Sequence, residues 1–200
     1  MNTMKKLIIL SFILLVPFLL QAQDFDKNLA AAKSAYSSGN LTDARFSMEQ
    51  MLRDLDAAIG KQILTMLPST LGSLTANTKD DNVTGAGASG LYVNRSYGTS
   101  PNQTTLNIIN NSPIITSVNA FLSMPFIANS GDGRQKVVKV QGYKSLLNKN
   151  ENSDTGKTGY ELQIPMNNTL LTLRSEDVSE SDILAWANAI PLAKIAQFAQ

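Results

Sequence analysis

The 200-residue sequence contains neither histidine nor cysteine. Without histidine, the chain lacks the side chain that titrates near neutral pH and the commonest protein ligand of zinc and copper. Without cysteine, it has no disulfide, no thiolate nucleophile and no attachment point for an N-terminal lipid. These absences exclude Ser-His-Asp, Cys-His and His-ligated metal chemistry. Carboxylate acid/base catalysis, Ser-Lys chemistry, oxygen-ligated calcium and binding without catalysis remain.

A basic charge excess is also missing, because 17 lysines and arginines face 16 aspartates and glutamates. Proteins that bind nucleic acid neutralise phosphates with a basic patch or stripe, and the sequence shows none. We therefore expect no nucleic-acid partner.

The N-terminus carries the pattern of an export signal. Lys5 and Lys6 precede an apolar run from Leu7 to Leu20, and Ala22 offers a small residue for cleavage. The run is shorter than the roughly 20 residues of a membrane-spanning helix. We predict a cleavable signal peptide at residues 1–22 and export to the periplasm or surface of a Gram-negative-type bacterium. The alternative is an uncleaved anchor, which would make this segment the membrane contact.

Residues 23–68 are predicted to form a helical hairpin. Apolar residues recur at spacings of three and four over residues 24–38 and again from Thr42 toward Met66. Ser37-Ser38-Gly39-Asn40 ends the first helix, and Pro68 marks the latest end of the second.

Five residues of this hairpin share the spacing of a known repeat: Ala32, Tyr36, Gly39, Leu41 and Ala44. Residues 32–44 resemble the turn region of a single tetratricopeptide-type helical hairpin. The resemblance implies that small residues let two antiparallel helices approach closely. Because a solitary repeat leaves an apolar face uncovered, we expect the hairpin to dock on the rest of the chain or, alternatively, on a partner.

Residues 69–200 change to strand-like spacing and are predicted to form an antiparallel α+β domain. The first elements are strands at 88–97 and 103–110 and a helix capped by Ser112 and started by Pro113. A strand lies within 136–147, where Gly142 suggests a bulge or a close backbone contact. A polar loop at 148–159, paired strands from Tyr160 to Met166 and from Leu170 to Arg174, and a helix opened by Ser179 and Asp182 and split or kinked by Pro191 follow. The predicted fold class is α+β, with the N-terminal α-helical hairpin packed on an antiparallel β-sheet domain that ends in a C-terminal helix.

The run Gly159–Ile190 ends in a helix of the form Val-Ser-x-x-Asp-Ile-Leu-x-x-Ala-x-x-Ile after its paired strands. In this it resembles the C-terminal third of PsbP/Mog1-like exported α+β domains. The resemblance implies a noncatalytic binding or assembly role.

Tyr92, Arg95 and Tyr97 form the candidate binding surface. In a strand, residues 92 and 97 lie on opposite faces, so at most one tyrosine joins the core. The other tyrosine could contribute to a small amphipathic surface.

Three other motifs are interpreted as structural. Asp154–Thr158 contains the Gly-Lys-Thr of a phosphate loop, but Glu151 occupies the position of its first glycine. Ser130–Arg134 could be one arm of a calcium site, joined in space by Asp80-Asp81-Asn82, although turn and solvent-exposed roles are favoured. Trp186 is expected in the core.

No complete catalytic, cofactor or metal motif is present, so we expect no enzyme activity, no cofactor and no metal. The favoured hypothesis is an exported noncatalytic module that binds a protein or envelope component. One alternative is a small-molecule or lipid carrier with a pocket between the sheet and the terminal helix. The other is a carboxylate-based hydrolase, with Asp132 and Glu161 as the residues to test.

Overall fold

A computed structural model describes residues 16–85, 90–124, 133–151 and 156–199, with side chains from residue 24 onward. The chain divides into two compact units between Leu55 and Asp56. The helices are α1 (Val16–Ser37), α2 (Leu41–Met66), α3 (Ile115–Ser123), α4 (Glu180–Ala189) and α5 (Leu192–Phe198). The strands are β1 (Thr70–Leu71), β2 (Leu74–Thr75), β3 (Asn82–Gly85), β4 (Leu91–Tyr97), β5 (Thr104–Asn110), β6 (Gln135–Val140), β7 (Tyr143–Glu151), β8 (Thr158–Met166) and β9 (Thr169–Ser175). The elements confirm the predicted α+β class.

The first unit contains α1 and the N-terminal half of α2. Gly39, with φ of +79°, ends α1, and the backbone N–H groups of Gly39 and Asn40 donate to the carbonyls of Tyr36 and Ala35. This is the pairing by which a left-handed glycine satisfies the last carbonyls of a helix. Asn40 then caps α2, because its side-chain oxygen accepts from the Asp43 N–H at 3.2 Å. The predicted turn is confirmed.

Small residues lie where the two helices of this unit meet. Ala32 of α1 and Ala44 of α2 are buried, and Asn28 donates to the Asp54 carboxylate at 3.3 Å. Helix α1 begins at Val16, eight residues before the predicted start at residue 24. Residues 1–15 of the predicted signal peptide lie outside the described residues, and its cleavage stays a prediction. Within the part of the chain that is described, no helix is both long and apolar enough to cross a membrane.

The second unit is built on a seven-stranded antiparallel sheet with the order β3-β4-β5-β9-β8-β7-β6. Strands β3–β5 form one meander and β6–β9 another, and the pairing of β5 with β9 joins them. The β8–β9 turn is the predicted Asn167-Asn168 pair, and Asn167 has a φ of +53°. Asparagine tolerates this left-handed conformation and therefore suits a two-residue hairpin turn.

The main core lies on one face of this sheet. Strand residues such as Leu106, Leu162 and Leu173 are fully buried there, together with Ile183 of α4 and Ile195 of α5. Ile63 and Leu67, in the second unit, join the same core. Ser179 caps α4 by accepting from the Asp182 N–H at 3.1 Å, and a break at Pro191 separates α4 from α5, as predicted.

The opposite face of the sheet is mostly polar. Helix α3 covers part of it, where Val118 and Leu122 pack against Leu146 of β7. The cap predicted at Ser112 is wrong, since α3 begins at Ile115 and its N-cap is Ile114, without a side-chain hydrogen bond. Ser112 instead uses its backbone carbonyl, which accepts from the Ile115 N–H at 3.2 Å in the turn before the helix.

Residues 136–147 hold parts of two strands where one was predicted, and Gly142 lies in the turn between them instead of forming the predicted bulge or close backbone contact. Strands β6 and β7 are joined by a two-residue turn in which both Gln141 (φ +49°) and Gly142 (φ +89°) are left-handed. The predicted loop at 148–159 is shorter than expected, because β7 continues to Glu151 and β8 begins at Thr158. The β6–β7 turn therefore adds one strand to the sheet, and the short β7–β8 loop lengthens the pairing between these two strands.

The segment between α2 and β4 holds short elements that the composition did not reveal. Strands β1 and β2 pair as a small hairpin, a 3₁₀ turn spans Thr78–Asp80, and β3 pairs with β4 at the sheet edge. Short strands rich in Thr, Asn and Gly carry too few apolar residues for a clear period-two pattern.

Candidate functional site

Two residues of the predicted surface, Arg95 and Tyr97, lie on the core face of β4. They share the face of Leu91 and Val93, because all four occupy alternate positions of the strand. Tyr97 is fully buried, and its hydroxyl donates to the Pro68 carbonyl at 3.0 Å. Burial raises the pKa of the Tyr97 phenol, since the charged form would lose its hydration.

Arg95 is held by Asp81. The Nε atom of Arg95 donates to Oδ1 at 2.8 Å and Nη2 donates to Oδ2 at 2.5 Å, which makes a two-point pair. The side chains are 7% and 13% exposed. The hydrogen bond to Asp81 raises the pKa of Arg95 against the opposing effect of burial. This geometry ties the chain just before β3 to β4 and leaves Arg95 in a structural position.

Tyr92 lies on the opposite, polar face and is 36% exposed. Its hydroxyl donates to Asn107 Oδ1 at 2.9 Å, and Asn94 Nδ2 donates to the same oxygen at 2.7 Å. The structure thus separates Tyr92 from the other two predicted residues, because the sheet lies between them.

The motifs with a structural interpretation lie only partly within the described residues. Lys157 forms an ion pair with Asp177 at 2.7 Å, and Thr158 begins a strand rather than a helix whose N-terminus could hold a phosphate. Trp186 is half-buried against the main core. Asp154, Ser130 and Asp132 lie outside the described residues. Among the residues that are described, no group of three or more acidic side chains is placed to hold a metal ion.

A polar groove of about 500 Å³ lies at one end of strands β6–β9. Its lining includes Arg134, Gln135, Asn148, Glu161 and Arg174, with Lys149 and Glu151 beside them. We call this the polar groove. Sequence reasoning missed it, although the alternation of polar residues with core residues along β7, β8 and β9 was a usable signal. The alternation does not say which polar positions become neighbours, because that depends on strand order and register.

Two carboxylates, Glu151 and Glu161, line the groove. Hydrolysis by such a pair needs one carboxyl with a raised pKa to act as the general acid. Glu151 has the opposite property, since a hydrogen bond from Lys149 at 2.7 Å lowers its pKa. Glu161 accepts a hydrogen bond from Gln163 Nε2 at 2.8 Å. The geometry therefore suits binding of charged groups better than proton donation.

An exposed apolar stripe runs along α2 in the first unit. Its residues are Leu41, Met48, Leu52 and Leu55, which are 47–64% exposed. Their spacing of seven, four and three places them on one face of a helix. Phe46 of α2 and Leu29 and Tyr36 of α1 are exposed as well. We call the four α2 residues the hairpin stripe.

The space proposed for a carrier pocket, between the sheet and the terminal helices, holds core side chains. Ile183, Ala187, Leu192 and Ile195 are fully buried there and belong to the main core. Interiors packed in this way leave few voids larger than a water molecule.

Comparison with protein families, curated proteins and solved structures finds no match to this chain.

Proposed function

We propose that the protein is an exported, noncatalytic binding module whose hairpin stripe recognises a protein component of the cell envelope. The observation that carries the proposal is the exposure of Leu41, Met48, Leu52 and Leu55 on one helical face. Contiguous apolar side chains on a protein surface mark interaction sites, because their burial releases ordered water. Export is inferred from the pattern of residues 1–22.

The stripe suits a protein partner better than a small ligand. Leu55 lies 14 residues after Leu41, and a helix rises about 1.5 Å per residue, so the stripe is about 21 Å long. Such a stripe fits the apolar groove or helix of a second protein, with anchors at i, i+7, i+11 and i+14. Complete burial of one leucine or methionine side chain is worth about 1.5–3 kcal/mol.

Polar side chains lie within and beside the stripe on α2, because Arg45 is placed between Leu41 and Met48 on the same helical face. Arg45, whose side chain is 83% exposed, pairs with Glu49 at 3.0 Å one turn along the helix. Arginine is enriched at protein interfaces together with methionine and aromatic residues.

The absence of histidine and cysteine supports a role without catalysis, since the commonest nucleophilic and general-base groups are missing. Two of the charged groups on the sheet are also engaged in ion pairs: Arg95 is paired with Asp81, and Glu151 with Lys149.

The proposal is tested by crosslinking the exported protein to envelope extract and comparing two variants. Leu52→Glu places a charge in the stripe, whereas Thr42→Glu places the same charge at an exposed position of α2 outside it. We expect Leu52→Glu to abolish a crosslinked species that wild type and Thr42→Glu retain. Circular dichroism establishes that both variants are folded. Equal crosslinking by the two variants, or no specific species with wild type, would contradict the proposal.

A further inference from the structure

Four polar side chains form one row across the floor of the polar groove. Gln135 pairs with Asn148, Asn148 with Glu161, and Glu161 with Arg174, in register across β6, β7, β8 and β9. Residues directly opposite each other in antiparallel strands share a face and have Cβ atoms about 4.5–5.5 Å apart. The row therefore presents two amides, a carboxylate and a guanidinium in fixed order.

Two members of this row have unused acceptor capacity. The Oδ1 atom of Asn148 is buried and accepts no hydrogen bond from the described residues. A buried acceptor without a donor is costly, and such an atom in a native protein is accounted for by local strain, ordered water or an ion. Glu161 accepts from Gln163, and a carboxylate has room for several more donors.

The third member supplies positive charge. Arg174 lies 3.8 Å from Glu176 Oε1, which is beyond hydrogen-bond distance, and its side chain is 56% exposed. A guanidinium is the preferred partner of a carboxylate because two parallel N–H groups match its two oxygens. At the rim, Lys149 and Glu151 neutralise one another at 2.7 Å.

From this arrangement we infer that the polar groove binds a short peptide through its charged termini. The carboxylate of the peptide pairs with Arg174, and its ammonium group donates to Glu161, which lies beside Asn148 in the row. A ligand that carried negative charge alone would meet Glu161 unfavourably, and a cation would meet Arg174. The volume of about 500 Å³ lies in the range of small-molecule sites and holds a peptide of a few residues.

The groove lies in the second unit and the hairpin stripe in the first, so the two proposals stand independently. The groove is probed by NMR titration of the whole protein with tri-alanine, with its C-terminally amidated form and with its N-acetylated form. We expect tri-alanine to shift resonances of Asn148, Glu161 and Arg174. Amidation and acetylation should each weaken binding about tenfold or more, since each removes one charge-assisted pair.

Variants assign each end of the peptide. In Arg174→Gln, amidation should no longer weaken binding, and in Glu161→Gln, acetylation should no longer do so. Lys139→Gln removes a charge from the same face of the sheet outside the groove and should bind all three peptides as wild type does. Absence of shifts at millimolar tri-alanine, or equal affinity of wild type for all three peptides, would overturn the inference. The wild-type comparison decides even where a variant fails to fold.

Discussion

Arg95 and Asp81 are two residues whose burial is tolerable because each neutralises the other. Removing a charged group from water costs several kcal/mol, and a two-point hydrogen-bonded partner offsets that cost. With side chains only 7% and 13% exposed, the pair differs from the five other ion pairs of the described residues, in which at least one member is more than a third exposed. Loss of one partner should therefore matter more here than elsewhere.

We predict that Asp81→Ala lowers the free energy of unfolding by about 3 kcal/mol, because Arg95 would remain buried without a counter-charge. The double variant Asp81→Ala/Arg95→Met should regain more than half of that loss. Urea unfolding monitored by circular dichroism measures both values. Glu49→Gln, which breaks the exposed pair with Arg45, is the control and should cost less than about 0.5 kcal/mol. Equal costs for Asp81→Ala and Glu49→Gln would show that the buried pair has no special weight.

The sequence predicts which face of β4 carries Arg95, but it does not predict the partner of Arg95. The alternation Leu91, Val93, Arg95, Tyr97 places the arginine and the second tyrosine on the face of two apolar residues, and that face is the core face. The partner was not available, because Asp81 lies 14 residues away in a segment without a clear strand pattern. An arginine at a core-facing position of a strand predicts that an acidic residue is buried beside it. The pattern does not identify which acidic residue that is.

At the scale of elements, the β6–β7 turn is held by hydrogen bonds to residues far away in the sequence, which the local sequence pattern does not reveal. Gln141 adopts a positive φ that is uncommon outside glycine, asparagine and aspartate. Its side-chain amide donates to the carbonyls of Ile190 at 2.7 Å and Asn188 at 3.1 Å, which lie at and just before the end of α4. The last carbonyls of a helix have no partner within it, and Gln141 supplies one to Asn188, while the Ile190 carbonyl also accepts from the Leu192 N–H at 2.8 Å. Long-range bonding at this position explains why a bulge was predicted instead of a turn.

We predict that Gln141→Asn destabilises the protein by about 1 kcal/mol, although asparagine suits the left-handed turn better than glutamine. Its side chain is one methylene shorter and would not reach the end of α4. Urea unfolding gives the stability, and hydrogen exchange at the C-terminal turn of α4 should rise. A variant as stable as wild type would show that the turn conformation outweighs the bonds to α4.

Elements with strong local signals were predicted well. The end of α1 at Gly39, the Asn167-Asn168 turn, the Ser179 cap and the break at Pro191 each depend on residues within a few positions of one another. The Ser112 cap failed, although serine before proline is a valid start signal, because the backbone makes one further turn before α3 begins. The local sequence is compatible with a helix that starts after Ser112 or after Ile114. The observed helix starts at Ile115, and in it Val118 and Leu122 pack on Leu146.

At the scale of the molecule, the order of the sheet was beyond local reasoning. The β8–β9 hairpin could be predicted from its turn, but the pairing of β5 with β9 joins strands about 65 residues apart, from Thr104–Ser175 to Asn110–Thr169. The polar groove depends on the same long-range order, because its row of side chains exists once β6–β9 are in register. Fold class was therefore predictable while the site was not.

The β5–β9 pairing should make the two meanders of the sheet unfold together. Leu106 of β5 and Leu173 of β9 are fully buried and directly paired, so Leu106→Ala leaves a cavity at the junction. We predict a loss of about 2–5 kcal/mol in urea unfolding, whereas Met124→Ala, at a residue 49% exposed, should change stability by less than about 0.5 kcal/mol. Hydrogen exchange measured by mass spectrometry should show β4 and β8 losing protection to the same extent in Leu106→Ala, because both depend on one continuous core. Loss of protection confined to β3–β5 would mean that the meanders are separate cooperative units.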